Sequence, residues 1–148
     1  MKKNRKNLFF LLIKILLITF ILLFGYKYVF GFYIVKNNDL KSINIKPHDF
    51  LIFYKYNNEY ENDDIVFYKN NVYKVVGTFY QVINKVRNKT MIDNSVIDEI
   101  QYNYNYPYSI QRDEVFLLNN KDDSRIFGCV KIKDIEGKLI FRMQIRDF

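Results

Sequence analysis

Few side chains in this chain could make or break bonds. Its 148 residues include one cysteine, Cys129, and one histidine, His48. A single cysteine closes no intrachain disulfide, and one His with one Cys does not furnish a zinc set. Cys129 reads as a small buried hydrophobe. His48 follows Pro47 just ahead of an apolar run and reads as a solvated turn residue. Paired carboxylates are another route to catalysis, because two that share a proton can act as acid and base. Asp39, Asp49, Asp63 and Asp64 are the carboxylates available for that on paper. Asp123 and Arg125, on either side of Ser124, form a charge pair suited to pinning a loop. Neither a metal nor a cofactor is expected.

These residues must be positioned by the rest of the chain, and its charge pattern says where. Lys2, Lys3, Arg5, Lys6 and Lys14 supply five of the seven net positive charges, with no acid before residue 15. A nucleic-acid binder carries its basic charge on the folded domain, so no nucleic-acid partner is expected. A short basic head before an apolar run is a signature of membrane topology. Residues 1–7 form that head, and residues 8–30 are apolar apart from Lys14, Thr19 and Lys27. About 20 apolar residues cross a bilayer as a helix, with Lys14 snorkelling to the headgroups. Tyr26 and Tyr28 fall where aromatic belts sit. A cleaved secretory signal fits less well: the run exceeds a core of about 7–15 residues, and no small-x-small site follows it. The expected arrangement is a single-pass cell-membrane anchor, with the N-terminus cytoplasmic and a domain over residues 33–148 outside.

That domain has the texture of a β-protein. The chain has 13 Tyr and 14 Phe but only 5 Gly and 2 Pro, a composition that favours strands over disorder. Strands are expected at Phe50–Tyr54, Asp64–Tyr68, Val72–Val76, Phe79–Val86, Met91–Ile92, Val115–Leu118, Phe127–Ile132 and Leu139–Ile145. Asn70-Asn71 is placed as a tight hairpin turn, and Glu136-Gly137-Lys138 as another. Residues 94–100 read as either a helical turn or a loop. Gln101–Ser109 reads as a polar-aromatic surface loop. The fold expected from these patterns is mainly β, a single domain large enough to bury about two-thirds of its surface.

Four segments, taken in order and at their spacing, resemble type I signal peptidases, the membrane-anchored serine proteases that remove signal peptides. Val115 to Gly128, VFLLNNKDDSRIFG, carries Asp123-Ser124-Arg125 and Phe127-Gly128, and Gly137-Lys138 follows at the place of the family's Gly-Lys turn. Asp63-Asp64-Ile65-Val66-Phe67 is similar to a GDIVVF strand start, and Tyr73-Lys74-Val75-Val76-Gly77 to a K-R-V-I-G strand. Asp39 to Asp49 stands at the place of the nucleophile segment. The resemblance covers nearly the whole chain and implies an antiparallel signal-peptidase-like β-domain behind one N-terminal transmembrane helix. It assigns Asp123, Ser124, Arg125 and Gly128 a structural role. It also implies a peptide groove along Leu40, Lys41, Lys74 and Val75, where backbone pairing would hold an extended chain.

The departures from the family pattern bear on activity. The family enzyme pairs a serine nucleophile with a lysine kept neutral by apolar surroundings. Here Asp39 falls at the serine and Tyr73 at the lysine. Lys74 is adjacent, but successive strand residues point to opposite faces. Ser42 is the only serine nearby, and it falls at the family's proline. A tyrosine with an ordinary pKa of about 10 is a phenol at neutral pH, so Asp39 and Tyr73 mark dyad-equivalent positions without dyad chemistry. Leu118-Asn119-Asn120-Lys121 replaces the family's GDNR turn, and three residues are missing after it, including the serine that supports the lysine. The resemblance is therefore nearest to the catalytically degenerate signal-peptidase-like proteins of Gram-positive pilus operons, which are needed for sortase-driven pilin polymerisation. It implies pilin subunits or sortase as partners. The competing readings are a divergent active signal peptidase that cleaves exported proteins, and a membrane-attached β-domain of unrelated function.

Overall fold

A computed structural model of the chain describes residues 2–36, 45–86, 89–93, 95–97, 100–119 and 122–144. It opens with helix α1 (Lys2–Val29). Within α1, Phe9–Val29 is a 21-residue stretch long and apolar enough to cross a membrane, none of it buried against the rest of the protein. A helix satisfies its own backbone hydrogen bonds, which is what a spanning segment requires in lipid. The Thr19 hydroxyl, in the middle of this stretch, donates to the Ile15 carbonyl at 2.8 Å and so adds no unsatisfied donor.

No linker separates α1 from the domain. Strand β1 (Phe30–Ile34) begins at the residue after the helix and pairs antiparallel with β2 (Phe50–Tyr54). The sequence reading assigned Phe30 to the anchor and began the domain at residue 33; the strand shows the two are fused. Next come β3 (Ile65–Tyr68), β4 (Asn71–Gly77), β5 (Val82–Val86), β6 (Lys89–Ile92), β7 (Ser95–Ile97), β8 (Tyr108–Ser109) and β9 (Glu114–Leu118). The chain closes with the short helix α2 (Ser124–Phe127), β10 (Val130–Lys131), a 3-10 turn (Ile132–Asp134) and β11 (Gly137–Met143). The architecture is mainly β with one N-terminal apolar helix, as expected. A seven-stranded sheet runs β1-β2-β11-β3-β4-β9-β10, and a four-stranded sheet runs β7-β6-β5-β8.

Several local expectations shift for physical reasons. The β3–β4 turn falls on Lys69 and Asn70, both at positive φ (47° and 59°), with Tyr68 opposite Asn71. This is the doubly left-handed turn that matches strand twist, placed one residue earlier than expected. Lysine tolerates that backbone here with its ammonium 5.2 Å from the Tyr68 ring centroid and 5.9 Å from that of Phe127. Phe79 and Tyr80 are a turn, not a strand start: Tyr80 has φ 74°, and Gln81 bonds back to Thr78 through both backbone and side chain. Residues 95–97 form a strand. In the expected surface loop Gln101–Ser109, Tyr104 is buried and its ring packs 4.8 Å from Tyr108 and 6.5 Å from Phe116. The alternation of Tyr with Asn there is a period-two signal, and its inward half joins the core. Glu136-Gly137-Lys138 makes no hairpin. The 3-10 turn carries the chain from β10, at the sheet edge, to β11 between β2 and β3, where the Glu136 amide donates to the Phe67 carbonyl.

Three apolar clusters fill the domain. Leu51, Phe53 and Val72 meet Val35 and Ile45 in one cluster. Val66, Tyr73, Val75, Val115 and Leu117 form the middle. Ile83, Ile92, Ile110 and Phe116 join the small sheet to β9. Gly77 makes this last junction possible. A Cβ there would lie 2.7 Å from Ile110 Cδ1 and 3.0 Å from Phe116 Cβ, closer than packed atoms tolerate.

Candidate functional site

Tyr73, which the resemblance sets at a catalytic lysine's place, lies on β4. It is buried, with its ring edge-on to Tyr68 at 5.9 Å and to Phe127 at 6.4 Å. Burial raises its pKa above the ordinary phenol value, and the charge of Asp122, the neighbouring Tyr68 and the charge of Asp123 push the same way. Tyr73 is therefore a protonated phenol in an apolar slot and supplies no base. Lys74 points to the other face, where its ammonium lies 2.6 Å from Asp63 Oδ1. Lys74 is thus engaged in an ion pair on the opposite face of the strand from Tyr73. Asp39, Leu40 and Lys41 lie outside the described residues.

The two ends of the segment that carries Asp39 are tied together. The Val35 amide donates to the Asp49 carbonyl at 3.0 Å, and the His48 amide donates to the Val35 carbonyl at 2.7 Å. Asp49 is buried; one of its oxygens accepts from the Lys46 amide at 2.9 Å and from Arg142 Nε at 2.7 Å. The sequence reading missed this link. A lone arginine inside the apolar run Leu139–Met143 was its signal, since a half-buried cation in a strand needs an anion. The other carboxylates weighed for acid–base work are also paired. Asp63 meets Lys74, and Asp64 lies 2.6 Å from Lys138. Asp49, Asp63 and Asp64 thus sit in separate ion pairs. His48 is an exposed turn residue, as its place after Pro47 indicated.

The Asp-Ser-Arg segment carries a buried polar network. Asp123 is fully buried at the N-cap of α2. Its carboxylate accepts from the Arg125 amide at 2.9 Å, from Arg125 Nε at 2.9 Å and Nη2 at 2.8 Å, and from the Asn119 amide at 3.0 Å. Arg125 Nη2 also donates to the Asn119 carbonyl at 3.0 Å. The buried Ser124 hydroxyl accepts from the Leu117 amide at 2.9 Å, so it is a bracket for β9 and not a nucleophile. Gly128 caps α2 at φ 86°, and a Cβ there would lie 2.9 Å from Cζ of the Tyr102 ring. These contacts tie Asp123, Ser124, Arg125 and Gly128 into the loop after β9. Asn119 is an addition: its Nδ2 donates to the Val72 carbonyl at 2.8 Å, which fastens the loop to β4 beside Tyr73. The sequence comparison had treated its neighbourhood only as a departure from a family turn.

The expected groove along β4 is not open. Tyr73 is paired with Val66 of β3, Val75 with Leu117 of β9, and Lys74 has partners on both sides. Val75 is fully buried. A strand hydrogen-bonded on both edges cannot accept a third chain by strand addition. Among the described residues, β1 is paired on one side only.

A scan against models of known protein families finds no match, and no curated protein matches the chain.

Proposed function

We propose that this protein is a membrane-anchored, non-cleaving signal-peptidase-like domain that binds pilin subunits or sortase at the outer face of the cell membrane and assists pilus polymerisation. The observation that carries this reading is Tyr73: where the family's neutral lysine would stand there is a buried phenol held in its protonated form. Without a base, a serine or carboxylate nucleophile is not activated. The resembling segments also lie together in the sheet, since β11, β3, β4 and β9 are consecutive neighbours. Two of them touch directly through Lys138 and Asp64. The scaffold is thus kept by its own ion pairs while the catalytic positions carry other chemistry.

The membrane setting has its own support. On the face of β1, β2 and β11 that turns away from the core, Ile52 lies between Phe32 and Phe141, and Phe50 between Ile34 and Met143. Phe32, Ile34, Phe141 and Met143 are exposed. The Phe32 ring stacks on Tyr26 of α1 at 4.5 Å, so this apolar face continues the surface of the helix. Lipid at the bilayer boundary is the surface that covers both.

Incubating the full chain in lipid with a signal-peptide-bearing pilin tests the reading. No cleavage is expected. Cleavage that vanishes in Asp39→Ala or Tyr73→Phe would overturn it. Deletion of the gene should abolish pilus polymers, and unchanged polymers would remove the pilus role.

A further inference from the structure

A cleft of about 520 Å³ opens where α1 enters the sheet, with Tyr26, Lys27, Gly31, Phe53, Lys55 and Glu136 among its walls. Its depth relative to a bilayer follows from the helix. Phe9–Val29 rises about 31 Å at 1.5 Å per residue, which matches a hydrocarbon core of about 30 Å. Tyr26 and Lys27, in the last turn, then stand at headgroup level. The Lys55 ammonium donates to the Lys27 carbonyl at 3.2 Å. It neutralises the negative end of the helix and keeps two further N–H donors. The lower walls are aromatic.

The cleft is kept open by Gly31. No left-handed backbone requires glycine there, and a Cβ would meet only Lys55 Cε at 3.5 Å and Phe53 Cβ at 3.8 Å, ordinary contacts. A strand position that tolerates a side chain and favours one for stability instead leaves space. The occupant must suit two ammoniums, one carboxylate and an aromatic floor beside a spanning helix.

We propose that this cleft binds one phospholipid. The phosphodiester lies between Lys27 and Lys55, a headgroup hydroxyl or ammonium donates to Glu136, and an acyl chain runs along the Tyr26 side of α1. The site needs α1 in a bilayer and is independent of the pilus reading, because its readout is lipid retention, not cleavage or polymerisation.

The test is native mass spectrometry of the full chain released from detergent micelles with phosphatidylglycerol as probe. One retained lipid per chain is expected, with phosphatidylcholine, whose headgroup has no hydrogen-bond donor, held more weakly. Lys27→Gln and Lys55→Gln should each weaken retention about fivefold, and Gly31→Leu should abolish it by filling the cleft. Lys14→Gln, at the other end of the helix, should change nothing. Equal retention by the wild type and both lysine variants would overturn the proposal even if Gly31→Leu fails to fold. So would equal retention of phosphatidylcholine, or displacement of the lipid by millimolar inorganic phosphate, which would make the site one for a free anion.

Discussion

At the scale of single residues, the chemistry of this domain is set by what burial does to weak acids. Tyr73 has its pKa raised by desolvation, and Tyr60, buried beside Asp64, is pushed from 10.0 up to about 12. Cys129 is likewise pushed up to about 12, mainly by burial, with the Tyr104 hydroxyl 3.5 Å from its sulfur. At neutral pH all three are protonated and unreactive. The tyrosines have a consequence for stability. A folded-state pKa above the unfolded value means the native state holds its proton more tightly, so that stability is full below pH 10 and falls as pH rises toward the folded pKa. Between pH 10 and about 12, Tyr60 alone should cost ~2 kcal/mol, at about 1.4 kcal/mol per proton per pH unit. Urea unfolding of the full chain in micelles at stepped pH measures the slope. Tyr60→Phe should flatten it by close to one proton, and an unchanged slope would show that the phenol ionises equally in both states.

Secondary-structure elements here depend on polar side chains as much as on apolar pattern. Helix α2 has four residues, too short to be stable alone. It persists because Asp123 collects the amides of Asn119 and Arg125 and the Arg125 guanidinium, while Asn119 reaches across to Val72. Asp123→Ala should therefore destabilise the fold by about 3 kcal/mol, since it strands a half-buried guanidinium and removes a cap together. The urea midpoint reports it, and a loss under about 1 kcal/mol would mean that the loop is held by apolar packing. The same dependence explains why the expected strand Phe127–Ile132 breaks up. The cap draws Phe127 into α2, Gly128 turns the chain at φ 86°, and only Val130 and Lys131 remain for β10.

The molecule as a whole is a sheet welded to a helix. Because β1 starts at the residue after α1, the domain begins directly at the end of the apolar helix. By the positive-inside rule, the basic residues Lys2, Lys3, Arg5 and Lys6 predict a cytoplasmic N-terminus for a spanning helix. Protease added outside intact cells should remove a C-terminal tag and spare an N-terminal one. The reverse pattern would invert the topology and remove any encounter with partners at the outer surface.

The sequence by itself determined what depends on local composition and periodicity. It was enough for an N-terminal helix long and apolar enough to span a membrane, from the length of an apolar run, and for β2, β4 and β9, from β-branched and aromatic runs. It also marked Asp123–Arg125 as a pinning pair and Tyr73 as a non-base, because side-chain chemistry and strand alternation are local rules. Only the tertiary structure decided matters that depend on partners far along the chain. It inserted β11 between β2 and β3, joined Arg142 to Asp49 across 93 residues, drew Tyr104 into the core, and closed both edges of β4 where a peptide groove was expected. The physical reason is that sheet order and ion-pair partners are fixed by which distant surfaces bury each other, and no window of sequence contains both sides of such a contact.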